Sequence, residues 1–249
     1  MKISSLEKSL RVIELLSNSP RGLSLLKMSG ILHIPPSTVH HILQTFAPYD
    51  YVAQDPETKK YSLGFRFLEI GKRIADNIDI RKIASKYLYE LHEKCRETVH
   101  LAILRNGRVI YIDKVDTPGG LSLATYMGFS TDPHAAAGGK VLLSELPPKE
   151  IKNIYRGRSL KKYGKRTITS VSQLMDELER VKKQGYATEE EEYYEGVRCV
   201  AAPIKSGGKI VAAISITGSI FAITMDRIDN ELKDLVMKQA EKISSEMKW

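Results

Sequence analysis

A chain of 249 residues is long enough for two domains, each with its own core. With 42% hydrophobic and 27% charged residues it reads as globular, which excludes long disorder and a fibrous architecture. The net charge of +8 admits an acidic partner but does not locate it, because residues 1–80 hold 10 Lys and Arg against 8 Asp and Glu and residues 81–249 hold 28 against 22.

The N-terminus enters a helical pattern without the basic, apolar and cleavage segments of a signal peptide, so a cytoplasmic protein is expected. Leu6, Leu10, Ile13 and Leu16 recur at helical spacing, and Ser4 with Glu7 offers a reciprocal capping pair, which predicts a helix over 5–17. Ser24 caps a second, short helix to about Leu32. His33 and Ile34 make a turn, and Pro35-Pro36 suits the start of a third helix rather than the continuation of the second. In that helix Val39, Ile42, Leu43 and Phe46 form a buried stripe. Ser37, His41 and Gln44 then point the other way, flanked by Thr38, His40 and Thr45, a polar face whose hydroxyls, imidazoles and carboxamide suit phosphates and base edges. Two β-prone runs, 51–54 and 60–63, bracket the turn-rich 55–59 as a hairpin wing, with Lys59 and Lys60 available to backbone phosphates. Three helices and a wing are the layout of a winged helix-turn-helix that reads the major groove of double-stranded DNA.

A helical pattern over about 65–77 follows, then a helix over about 80–94 and strands at 98–104 and 108–115 joined by Asn106-Gly107, a strong hairpin signal. Further strands are expected at 121–126, 186–190, 197–204 and 210–217, and helices at 137–145, 171–184 and 226–247, with Pro147-Pro148 ending the first of these three. Strands joined partly by hairpins and separated by helices imply an α+β domain with a largely antiparallel sheet. Its longest weakly polar stretch, 210–223, is interrupted by Ser215, Thr217, Gly218 and Ser219 and falls short of the roughly 20 apolar residues that span a membrane. Only Cys95 and Cys199 are present, which fits buried thiols in a reducing compartment better than a bridge. The densest basic stretch, from Arg156 to Arg166, reads as a solvated loop.

The segments Leu23-Ser24-Leu25, Ile34 to Thr45 and Tyr61-Ser62-Leu63-Gly64 resemble the DNA-binding domain of the IclR family of transcriptional regulators. Asp132 to Lys140, Gly185-Tyr186-Ala187 with Glu189-Glu190-Glu191, Gly196 to Ile204 and Ala212 to Gly218 resemble its effector-binding domain, so the likeness covers nearly the whole chain. The resemblance implies a winged helix-turn-helix over 1–65, a linker helix over 66–79 and a GAF-like effector-binding domain over 80–249. It implies a pocket built from Ala137, Gly138, Glu189, Cys199, Ser215 and Thr217, where the family often has aspartate for Glu189 and serine for Thr217. The family has glycine where His33 stands, which suits a positive φ, and arginine where His41 stands.

Small residues at a helix start and alternate hydroxyls on one strand suggest a small organic acid as effector. One short reading head per chain suggests a homodimer, or a tetramer, on a palindromic operator. No catalytic role and no cofactor are expected. Two rival readings stay open: a metal-responsive regulator using His92, Cys95 and His100, and a hydrolytic enzyme using His134, Cys199 and Glu189.

Overall fold

The computed structural model describes residues 4–117 and 125–247, in two units, Met1–Asn77 and Ile78–Trp249. In the first unit α1 (Ser4–Ser17), α2 (Leu25–Leu32) and α3 (Pro36–Phe46) enclose a core of Val12, Leu16, Met28, Leu32, Val39 and Leu43. Ser24 caps α2 by accepting the Lys27 N–H, and Pro36 occupies the first turn of α3, where a missing N–H costs nothing. Between them His33 takes φ 53°, the left-handed conformation that the turn demands.

The wing is an antiparallel pair, β1 (Val52–Gln54) and β2 (Tyr61–Leu63), extended by a bridge from Tyr61 to Leu23. Its loop is tied by the Asp55 carboxylate, which accepts the backbone N–H groups of Glu57 and Thr58 and the Thr58 hydroxyl. α4 (Arg66–Asp76) follows, with Phe67 packed edge-on against Tyr51 in the same unit.

The second unit is α+β. Its six-stranded antiparallel sheet has the order β5-β4-β3-β8-β7-β6, with β3 (Thr98–Arg105), β4 (Arg108–Val115), β5 (Ser130–Thr131), β6 (Ala187–Glu190), β7 (Val197–Ser206) and β8 (Lys209–Ser219). Asn106 and Gly107 both have positive φ, as their hairpin requires. One face of the sheet presents Val99, Leu101, Ile112, Val200, Ile204, Ile214 and Ile216 to α5 (Asp79–Cys95) and to the C-terminal helix, which runs through Met225–Arg227, a π turn at Ile228–Leu232 and Lys233–Glu246.

The other face carries small residues, Ala102, Ala187, Ala201 and Ala213, and α6 (Ala137–Leu143) lies on it. The two glycines at its start meet different neighbours. A Cβ on Gly139 would stand 2.3 Å from the Pro133 carbonyl oxygen, whereas one on Gly138 would meet only the Ala213 methyl at 3.7 Å. α8 (Val171–Gln184) is capped by Ser170 and ends at Gly185 in the left-handed region.

Two elements depart from the sequence reading. α6 ends at Leu143, in a turn four residues before Pro147, and Pro147-Pro148 instead begins a further helix, α7 (Pro148–Ile154), because proline suits a first helical turn. β5 is only two residues long, too short to leave a periodic signal. The strand expected at 121–126 falls mostly on residues outside those described.

Candidate effector cavity and nucleic-acid face

On α3 the buried stripe is Val39 and Leu43, with Ile42 and Phe46 half-covered. Ser37, His40, His41, Gln44 and Thr45 are exposed and Thr38 is half-buried. They form two strips. His40, Gln44 and Ser37 face outward, with Gln44 Nε2 3.5 Å from His40 Nε2. Thr38, His41 and Thr45 turn toward α1 and line a groove with Ser5, Leu6 and Ser9. The Thr45 hydroxyl donates to the His41 carbonyl at 2.8 Å, which ties it to its own helix. Lys59, at φ 56°, and Lys60 are exposed on the wing.

In the second unit, β6, β7 and β8 bring three distant residues into one row. Glu189 is the register partner of Cys199, and Cys199 is the partner of Thr217. These three and Ala137, at the start of α6, line a cavity of about 450 Å³ including its mouth. Ser215 is buried two residues along β8, opposite His100, and is not among the lining residues. Nor is Gly138, on α6 beside Ala213 of β8.

The rest of the wall was not singled out from sequence as a pocket. It includes Tyr111, Phe129, Tyr193, Tyr194, Thr125, Thr131 and His100, the last of which the sequence suggests only as a metal ligand. The ring of His100 lies 4.8 Å from that of Tyr111, and Phe129 stacks on Tyr111 at 6.0 Å. No Lys or Arg is among the described lining residues.

A hydrogen-bonded chain crosses the cavity floor. His100 Nε2 is 2.9 Å from the Thr125 hydroxyl, His100 Nδ1 is 3.4 Å from the Thr217 hydroxyl, and Thr217 donates to the Cys199 thiol at 3.2 Å. The tautomer with the proton on Nδ1 satisfies all three contacts: Thr125 then donates to Nε2, and Nδ1–H donates to Thr217. Burial holds His100 neutral, with its pKa driven down to about 3. Burial likewise pushes the Cys199 thiol up to about 12, so it stands as a neutral thiol rather than a nucleophile.

Glu189 is 4% exposed. Burial raises its pKa to about 7, against the opposing effect of two backbone N–H groups, of Glu192 and Tyr193, that donate to Oε1 at 2.6 and 3.2 Å. Behind it Lys140, 2% exposed, pairs with Glu192 at 2.5 Å and donates to the Thr188 carbonyl at 3.0 Å.

The rival constellations are not assembled. His134 Nε2 lies 3.0 Å from the Lys161 carbonyl oxygen, its ring packs against Tyr155 and Tyr163, and it has no hydrogen bond to Cys199 or Glu189. His92 Nδ1 is 2.9 Å from the Glu97 carbonyl oxygen and Cys95 lies in the core between α5 and the sheet, while His100 lines the cavity. Among the described residues no three His, Cys, Asp or Glu side chains are placed to hold a metal ion. Both cysteines are free and buried.

Comparison with known proteins agrees with this architecture. Residues 5–56 match the IclR helix-turn-helix domain, and residues 72–245 match the C-terminal domain of the bacterial transcriptional regulator IclR. The chain belongs to the IclR family. Among its IclR relatives is the HTH-type transcriptional regulator KdgR of Escherichia coli, 33% identical over 98% of this chain and 93% of that one. The regulator XynR of the same organism is 34% identical over 86% of each chain. The crystal structure of the Thermotoga maritima IclR superposes with a TM-score of 0.80 and 28% identity, covering 100% of both chains. Like these relatives, this member of the family is a DNA-binding transcriptional regulator with a small-molecule effector domain. No helix among the described residues is long and apolar enough to cross a membrane.

Proposed function

We propose that this IclR-family regulator is a cytoplasmic homodimer, or a tetramer, that reads a palindromic operator and releases or tightens on it when a small organic acid enters the cavity of the second unit. In this reading residues 1–65 bind DNA, 66–79 form a linker helix and 80–249 bind the effector. Ser37, His40 and Gln44 meet base edges, Thr38, His41 and Thr45 meet the groove wall, and Lys59 and Lys60 meet phosphates. The effector lies among Ala137, Glu189, Cys199 and Thr217, with Gly138 and Ser215 shaping the cavity from behind. No catalytic role is assigned to any of them.

The observation that carries the proposal is the cavity itself, concave and walled by aromatic rings, with a few convergent polar groups held by rigid strands. Entry of an acid is compatible with Glu189 only if one proton is shared between the two carboxyl groups, because the described lining offers no cation. The effector is therefore an acid that also carries a hydroxyl or oxo group for Thr217 and Thr131.

Calorimetry of the full chain with a panel of short oxo acids, hydroxy acids and hydroxybenzoates is expected to find one class that binds. The same compounds should change affinity for the operator, found by selection from random duplexes, and the coupling must be reciprocal. Binding that ignores Thr217→Val and Glu189→Gln would remove the cavity from the proposal, and failure to select any sequence would remove the operator.

A further inference from the structure

The segment 149–166 holds eight Lys and Arg against one acid, Glu150, and so carries seven of the chain's eight net positive charges. The function described above uses none of them. They are not spread along a loose loop. Ile151, Tyr155 and Leu160 are buried in a cluster with Leu143, Leu174 and Leu178, which pins α7 and the turn after it to the body of the unit. Further along, His134 contacts the Lys161 carbonyl, the Tyr163 hydroxyl donates to Asp132, and the Thr167 hydroxyl donates to the Glu192 carbonyl. The cations on this fixed frame are all exposed.

Only its far end is neutralised, where Arg166 pairs with Glu190 and lies with Lys165 beside Glu191 and Glu195. Among the described residues Lys149, Lys152, Arg156, Arg158, Lys161 and Lys162 have no salt-bridge partner, and the Lys161 ammonium lies over the Tyr163 ring at 4.7 Å. Lys149, Lys152 and Arg156 fall within about 60° of one another at helical spacing, so they form one strip along α7 and its exit. Holding six like charges together on an ordered surface costs self-repulsion, which a polyanion relieves.

We propose that this face is a second phosphate-binding surface, by which the effector-binding unit itself contacts the backbone of duplex DNA outside the bases read by α3. The cations sit on a fixed frame, and of the two aromatic residues among them Tyr155 is buried while Tyr163 is covered by Lys161 and bonded to Asp132, which leaves no free ring for base stacking and favours a duplex backbone over single strands. This rests on the assignment of the chain as a DNA-binding regulator and adds a contact that the helix-turn-helix does not supply.

The test uses the full chain and a labelled mixed-sequence duplex, titrated between about 50 and 200 mM salt, where each phosphate contact contributes about 0.9 to the slope of log affinity against log salt. The quadruple variant Lys152→Gln, Arg156→Gln, Arg158→Gln, Lys161→Gln should keep its thermal midpoint and show a slope shallower by about 2–4. The double variant Lys59→Gln, Lys60→Gln should lower it independently. A second set, Lys149→Gln with Lys162→Gln, guards against a local folding defect and should give a smaller shift of the same sign. If both sets match the parent in slope and affinity while the wing variant does not, the proposal fails and the DNA-binding assignment stands. If the parent binds no duplex, both fail. If the quadruple variant loses binding to polyglutamate as strongly as to the duplex, the face serves acidic polypeptides and the proposal is overturned.

Discussion

Cys199 and Thr217 face each other across β7 and β8, and the threonine hydroxyl donates to the thiol at 3.2 Å while lying 3.4 Å from His100 Nδ1. The contact joins two chain positions 18 residues apart through strand register alone. It also makes the threonine the only described partner of a fully buried imidazole nitrogen.

Thr217→Val keeps the shape and removes that partner. The variant is expected to lose about 1–3 kcal/mol of stability, the cost of leaving a buried polar group unpaired. Thr217→Ser should restore most of it. Urea unfolding of the three proteins checks this, and equal midpoints for the valine variant and the parent would show that the chain of hydrogen bonds is not formed.

Much of this row could be read from sequence because strand alternation and family likeness both pointed at Glu189, Cys199 and Thr217. What could not be read was which neighbours complete the wall. Tyr111, Phe129 and Tyr193 reach the cavity through tertiary packing between β4, the segment before β5 and the segment after β6, and an aromatic residue in such places looks the same in sequence whether it lines a pocket or a core. Ser215 shows the limit of alternation: it shares the face of Thr217 but lies one pleat further along β8, opposite His100 and outside the described lining. In the first unit the three helices and the wing were legible because the Ser24 cap, the proline at the start of α3 and the apolar stripe all agreed.

On α3 the outward strip and the buried stripe should separate cleanly by experiment. Ser37→Ala and Gln44→Ala are expected to weaken operator binding with unchanged unfolding midpoints. Leu43→Ala, at a side chain that is 1% exposed, should cost about 2–5 kcal/mol and lose DNA binding only through unfolding. Fluorescence anisotropy beside thermal melting distinguishes the two, and full operator affinity in the Gln44 variant would mean that a different face enters the groove.

His33 occupies the left-handed region without being glycine. His33→Gly should therefore raise stability by about 1 kcal/mol, provided that the exposed imidazole makes no compensating contact. A chemical denaturation midpoint that falls would place the benefit of the histidine in its side chain.

The two glycines at the start of α6 should differ sharply. Gly139→Ala drives a methyl group into the Pro133 carbonyl, so the helix must shift, and about 1–3 kcal/mol of stability should go with it. Gly138→Ala meets only ordinary contact and should be neutral or slightly stabilising. The pair is read by differential scanning calorimetry, and equal losses would mean that α6 does not pass the Pro133 carbonyl as closely as described.

Glu189 gives the most direct probe of the cavity, because its folded pKa of about 7 lies above the ordinary 4.5. The folded chain therefore holds this proton more tightly than the unfolded chain. The resulting stability is fully present below about pH 4.5 and is lost as the pH rises through 7, to a limit of about 3 kcal/mol. Glu189→Gln retains an oxygen for the Glu192 and Tyr193 N–H groups and cannot ionise, so it should lose less stability than the parent between pH 5 and pH 8. The same proton governs the effector. An anionic acid beside Glu189 raises its pKa further, so affinity should be flat below about pH 7 and weaken above it, by up to about tenfold per pH unit. Calorimetry of the full chain in two buffers of different ionisation enthalpy should then record uptake of a proton above pH 7, absent in Glu189→Gln. Affinity that is constant from pH 6 to pH 9 in the parent would place the acid away from Glu189, or show that the effector is not an acid.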